Sequence, residues 1–169
     1  MSDSPERPAW LPELFDVQGD REEVIARLFA QFEADFNEGL YFRHRPVRVS
    51  NAATDKYPDR FLHIIERERS DADWRDFEPQ RAQRLPWCAA IIRNTNDPQV
   101  RVWDYIEGSG QQRVYLWLQA HDFIVILEHQ PRKKKGVYWL ITAFVVDSKR
   151  TRDELQGKWE RRYLPTTAS

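Results

Sequence analysis

The chain has 169 residues, 41% of them hydrophobic and 31% charged, with a formal net charge of -1. That length suits one domain with a substantial core, and the composition excludes a disordered or fibrous chain. No apolar run approaches the roughly 20 residues that a membrane-spanning helix needs, the first residues lack the pattern of a secretory signal, and the single cysteine, Cys88, allows no intrachain disulfide. A cytoplasmic protein is the expectation.

The net charge hides an asymmetry. Residues 1–80 hold 11 Lys/Arg against 18 Asp/Glu, a net of -7, while residues 81–169 hold 15 against 9, a net of +6. The basic half suits a phosphate backbone, or the two halves attract each other within the fold.

In chain order, residues 1–19 read as an arm, residues 20–164 as a single domain and residues 165–169 as a tail. Pro5, Pro8 and Pro12 keep the arm irregular, with Trp10 and Leu11 available to pin it. Asp20 caps a helix whose apolar residues Val24, Ile25, Leu28, Phe29, Phe32 and Phe36 recur at three- and four-residue spacing, and Gly39 stops it. Tyr41 to Ser50 reads as extended and carries Arg43, His44, Arg45 and Arg48; Asn51 to Arg60 is a polar loop. Phe61-Leu-His-Ile-Ile65 fits a strand or a helical turn equally. The charged stretch Glu66 to Glu78 is exposed. Gln80 to Asn94 forms one or two short helical pieces broken by Pro86.

A strand over Val100 to Ile106 and a turn over Glu107 to Gln111 lead into the densest apolar region. Val114–Leu118, Phe123–Leu127 and Val137–Val146 are rich in Val, Ile, Tyr, Phe and Trp. Their connectors are too short for parallel crossovers, so the strands run antiparallel. Two of the runs are apolar on both faces, so both faces are at least partly covered. Thr151-Arg-Asp-Glu154 is a capping box that opens a final helix through about Arg162, with Leu155 and Trp159 facing inward. The order implies an α+β fold: N-terminal helices packed on a four-stranded antiparallel β-meander, with a C-terminal helix.

The candidate chemistry is scattered. Gly108-Ser-Gly110 is a hairpin turn, since a phosphate loop would continue into Lys-Ser/Thr and a helix. No His or Cys pair stands at zinc-ligand spacing, and neither metal nor cofactor is expected; His121, Asp122, Glu128 and His129 are near enough in sequence only for adventitious binding. Cys88 reads as a small packed hydrophobe. An imidazole between Leu62 and Ile64 is costly unless hydrogen-bonded or placed at a cleft, which singles out His63. Thr142 interrupts the last apolar strand. Arg81 and Arg84 share a face if their segment is helical, and Lys158, Arg161 and Arg162 line the final helix.

Each of these residues alone has an ordinary structural explanation. Together, a histidine, two or three cations and a hydroxyl suffice for RNA cleavage without a metal. The histidine takes the proton of the 2′-hydroxyl, and the cations and hydroxyl stabilise the charged phosphorane. Trp103, Tyr115 and Trp117 would stack bases. Lys133, Lys134 and Lys135 would meet the phosphate backbone.

The series Phe61-Leu-His-Ile-Ile, Gln80-Arg-Ala-Gln-Arg-Leu-Pro-Trp87, Trp103, Arg113 with Leu116-Trp117, Asp122-Phe-Ile-Val-Ile and Tyr138-Trp-Leu-Ile-Thr-Ala-Phe144 resembles phage- and prophage-associated members of the barnase–EndoU–colicin E5/D–RelE superfamily of RNases. The resemblance spans about residues 15–163. It implies helices on a four-stranded antiparallel sheet, and a site made of a His, an Arg or Lys, and a Ser or Thr on the last strand. By motif position these are His63, Arg81 or Arg84, and Thr142, with Lys158 as a further basic candidate. It also implies an RNA substrate and, for a toxin, a cognate antitoxin or inhibitor protein. The competing readings are a non-enzymatic phage or prophage interaction module and an RNA-binding domain without cleavage.

Overall fold

The computed structural model describes residues 6–68, 75–130 and 136–165. Helix α1 (Arg21–Asn37) starts where Asp20 accepts a hydrogen bond from the Glu23 amide, and it stops at Gly39, whose φ of +80° suits a residue without a side chain. It buries Val24, Leu28 and Phe32. The short hairpin β1 (Tyr41–Phe42) and β2 (Arg45–Arg48) follows. Arg43 and His44 at its tip both take positive φ, 51° and 65°, the geometry of a tight two-residue turn.

Phe61 to Ile65 is helical. It belongs to α2 (Asp59–Ile65), where Pro58 at the cap is extended and Asp59 suits the first turn. Strands β3 (Glu66–Glu68) and β4 (Arg75–Phe77) pair with each other. Helices α3 (Pro79–Gln83) and α4 (Trp87–Arg93) are divided at Pro86, as the sequence predicts. Strands β5 (Val100–Ile106), β6 (Gln112–Leu118), β7 (Phe123–Gln130) and β8 (Val137–Val145) form the antiparallel meander. Helix α5 (Lys149–Glu160) begins earlier than the capping box suggested. Ser148, not Thr151, is the cap, and its hydroxyl accepts from the Thr151 amide.

The α+β class holds, but the sheet is not a four-stranded antiparallel meander. It has six strands in the order β1-β2-β8-β7-β6-β5, and β2 runs parallel to β8 through Val47 opposite Tyr138 and Arg48 opposite Trp139. The addition has a packing reason: Val47 becomes a buried core residue on the helix-covered side of the sheet. The sheet also curls. Arg43, at one edge, donates to both carboxylate oxygens of Asp104 on β5, at 3.1 and 2.8 Å. Asp104 stands opposite Val114, so the closure forms on the side occupied by α1–α4.

Two cores result. The larger joins Val114, Leu116, Leu118, Phe123, Val125 and Leu127 to the buried faces of α1–α4. The smaller lies on the other face, where α5 sets Leu155 and Trp159 against Trp103, Tyr115, Trp117, Ile124 and Ile126. The N-terminal arm packs too: Trp87 Nε1 donates to the Pro12 carbonyl at 2.9 Å, and Trp10 Nε1 to Asp97 at 2.9 Å. The expected attraction between acidic and basic halves is mixed. Arg93–Glu38 runs in that direction, whereas Arg43–Asp104 and Arg67–Asp147 run against it.

Candidate functional site beside the bulge of β8

Strand β8 bears an irregularity. Ile126 faces Thr142 but Leu127 faces Leu140, so Ile141 is an extra residue in β8. Such a bulge bends the strand and re-aims the side chains around it. The pairing with β2 reaches only Trp139, and beyond it α2 lies against β8. Arg60 of α2 donates a hydrogen bond to the Ile141 carbonyl. Arg67, just past the end of α2, pairs with Asp147 at 3.0 Å. These two contacts set α2 alongside β8 and in the same direction. His63 is one turn after Arg60 on the same side of the helix, half-buried, while Phe61, Ile64 and Ile65 fill the core.

Of the other residues predicted from sequence, Arg81 joins this region: its guanidinium donates to the Glu66 carbonyl at 2.8 Å, at the end of α2. Arg84 does not. It donates to the Gln80 carbonyl at 2.9 Å, lies 5.2 Å above the ring of Trp87 beside the N-terminal arm, and burial lowers its pKa. Thr142 is half-buried, on the α5 side of the sheet by its pairing with Ile126. Trp103, Tyr115 and Ile126 complete its row across the sheet. Tyr115 is two strands from Thr142, about 10 Å.

Lys158 reaches the far end of that row. Its ammonium donates to the Glu107 carboxylate at 3.1 and 3.2 Å and to the Tyr115 hydroxyl at 2.8 Å, and that hydroxyl donates to Glu107. Burial, and then the bond to Glu107, pushes the Tyr115 pKa up. Lys158 is thus committed to pinning α5 to the turn after β5. Trp103, Tyr115 and Trp117 are no platform for bases. They are 2%, 2% and 0% exposed, because α5 covers them and Trp103 stacks on Tyr115 at 5.0 Å. Lys133, Lys134 and Lys135 lie outside the described residues.

The neighbouring row on the same face holds residues to which the sequence assigns no part in cleavage. Tyr105, Arg113, Glu128 and Trp139 stand in register across β5–β8. Glu128 is only 8% exposed, and its Oε2 is 3.5 Å from Arg113 Nε. Arg60 also feels this row. Burial lowers its pKa first and the charge of Arg113 next, against the pull of Glu128. The Arg60 guanidinium thus lies close enough to the Arg113–Glu128 pair to feel both charges. The available signal was an acid ending the apolar run of β7, opposite an arginine two residues into β6. Only the register of the meander turns that into a contact.

His121 lies in the turn before β7 and His129 near the end of that strand, so most of the strand's length, roughly 20 Å, separates them. Cys88 is fully buried, which pushes its thiol pKa up. No described helix is long and apolar enough to cross a membrane. Compared with protein families, with curated proteins and with solved structures, the chain has no significant match.

Proposed function

We propose that the domain is an endoribonuclease of toxin type that cleaves RNA through attack of a 2′-hydroxyl on the adjacent phosphate, without a metal ion. The observation that carries the proposal is the seating of α2 along β8. It holds Arg60 against the bulge next to Thr142, with His63 one turn further along α2 and Arg81 bonded at the helix end.

In this reading His63 removes the 2′-hydroxyl proton. The 2′-oxygen then bonds to phosphorus, and the P–O5′ bond breaks. The leaving 5′-oxygen takes a proton from water, so the products are a 2′,3′-cyclic phosphate and a free 5′-hydroxyl. Arg60, Arg81 and the Thr142 hydroxyl act on the phosphorane, where fixed donors in a partly dry site are worth most. Thr142 enters as a donor to phosphate, and Lys158 has no step. A toxin of this kind would be held in check by a cognate antitoxin or inhibitor protein.

The test is an RNA oligonucleotide incubated with the protein in excess chelator. Cleavage that leaves 2′,3′-cyclic phosphate ends and stops when the 2′-hydroxyl at the cut is removed supports the proposal. Binding without turnover would leave an RNA-binding domain, and recovery of a single protein partner with neither activity would leave an interaction module.

A further inference from the structure

With Trp103, Tyr115 and Trp117 sealed under α5, an RNA-cleaving site has no base-stacking surface where the sequence suggested one. A different surface offers it. A groove of about 720 Å³ runs between the second half of α1, β2 and the start of α2. Aromatic rings stand along it: Tyr41 is 58% exposed, and Phe36 and Trp139 are half-buried. Tyr41 lies over Gly39, where an added Cβ would touch its ring at 3.4 Å. The polar lining is mixed, with Ser50 adding a hydroxyl. Asn37 and Asn51 present amides, which both donate and accept, and Arg48 presents an exposed cation.

The groove borders the candidate site, although Arg60, His63 and Thr142 are not in its lining. Its lining includes Pro58, the cap of α2, two residues before Arg60. Trp139, also in the lining, stands beside Glu128 in the row that holds Arg113. An occupant thus meets rings and amides first and then guanidiniums at the end toward the bulge. Glu33 on α1 is the one carboxylate in the lining.

We infer that this groove holds an unpaired base of single-stranded RNA, stacked on Tyr41, with Arg48 on its phosphate and the scissile linkage leading toward Arg60 and His63. The inference rests on the ribonuclease reading for its direction but not for its test. Every base has a π-face, so stacking on an exposed ring tolerates sequence, whereas the amides of Asn37 and Asn51 supply contacts to base edges.

The experiment measures binding alone, using a 2′-O-methyl oligonucleotide that cannot be cleaved, followed by fluorescence anisotropy. Tyr41→Ala should weaken binding by about 5- to 100-fold, the range for loss of one stacked base. Tyr41→Phe, which keeps the ring, should stay within about twofold of the wild type. Arg48→Ala should make the dependence of log Kd on log salt shallower by about 0.7, as for one phosphate contact on a single strand. A base-paired duplex of the same length should bind the wild type and Tyr41→Ala equally. Failure of the wild type to bind the oligonucleotide, or equal binding by Tyr41→Ala, overturns the inference. Weakened binding by Tyr41→Ala with no cleavage of unmodified RNA by the wild type would uphold the groove and remove the nuclease. Cleavage together with unchanged Tyr41→Ala binding would do the reverse.

Discussion

The two faces of the sheet are built on different terms. The face under α1–α4 is dry and almost wholly hydrocarbon: Val114, Leu116, Leu118, Phe123, Val125 and Leu127 are each fully buried. The other face carries one helix. It is aromatic where α5 lies and ionic beyond it, with Glu128 and Arg113 in register and Lys158 tied to Glu107. Apolar packing is non-directional and fills whatever space the helices leave. Charged groups at 8–29% exposure persist only with partners, so the second face is where geometry is specified residue by residue. A covered face makes the domain stable, and a half-covered one leaves cations and a hydroxyl within reach of solvent.

The sharpest way to break that contrast is in the dry core. Phe123→Ala, which removes a ring packed edge-on to Trp87 at 5.6 Å, should cost about 3–5 kcal/mol in denaturant unfolding. A loss below 1 kcal/mol would mean that this face is not the stabilising one. On the ionic face, Glu128→Ala leaves Arg113 without its carboxylate partner. A loss of about 1–3 kcal/mol is expected, less than for a fully buried pair because Arg113 keeps 28% of its side chain in water. The double variant Glu128→Ala with Arg113→Ala should recover part of that loss; strict additivity would show that the two side chains do not interact.

Smaller effects sharpen the picture of the curl. Asp104→Asn weakens the clamp on Arg43, whose pKa is held up by Asp104 and Tyr138 although burial works against the charge. Because Arg43 is 44% exposed, the expected cost is about 0.5–1 kcal/mol and should shrink at high salt. His129 stacks on Tyr138 at 4.8 Å, and burial first, then Arg45 and Arg43, lowers its pKa below the ordinary value of 6.5, against the pull of Asp104. The unfolded chain therefore binds the proton more readily than the folded one. His129 contributes full stability above about pH 6.5 and loses it as the pH falls through the folded value. NMR titration should place its midpoint below 6.5, and His129→Gln should flatten the acid side of the stability profile; a midpoint above 6.5 would contradict the crowding by Arg45 and Arg43.

Much of the scaffold is legible in the sequence because its signals are local. The stripe from Val24 to Phe36, the break at Pro86 and the apolar runs of β6–β8 each declare themselves within a dozen residues. The parallel pairing of β2 does not, since a four-residue strand containing Pro46 gains its partner from 91 residues away. The earlier start of α5 follows from a competing cap: Ser148, three residues before Thr151, accepts the Thr151 amide and draws Thr151 into the helix. The site is less legible than the scaffold. His63 stands out as an imidazole in an apolar run, but the burial of Trp103, Tyr115 and Trp117 depends on where α5 folds back. The role of Arg60 depends on a bulge that no local pattern announces.

The proposed chemistry depends on α2 beside the bulge of β8. The measurement is the cleavage rate of single-stranded RNA, in excess chelator, by wild type and His63→Ala, with folding of both checked by thermal unfolding. The prediction is a loss of about 10²–10⁴-fold in the variant with the fold retained. Equal rates from two folded proteins would take the imidazole out of the chemistry and leave this edge of the sheet as packing alone.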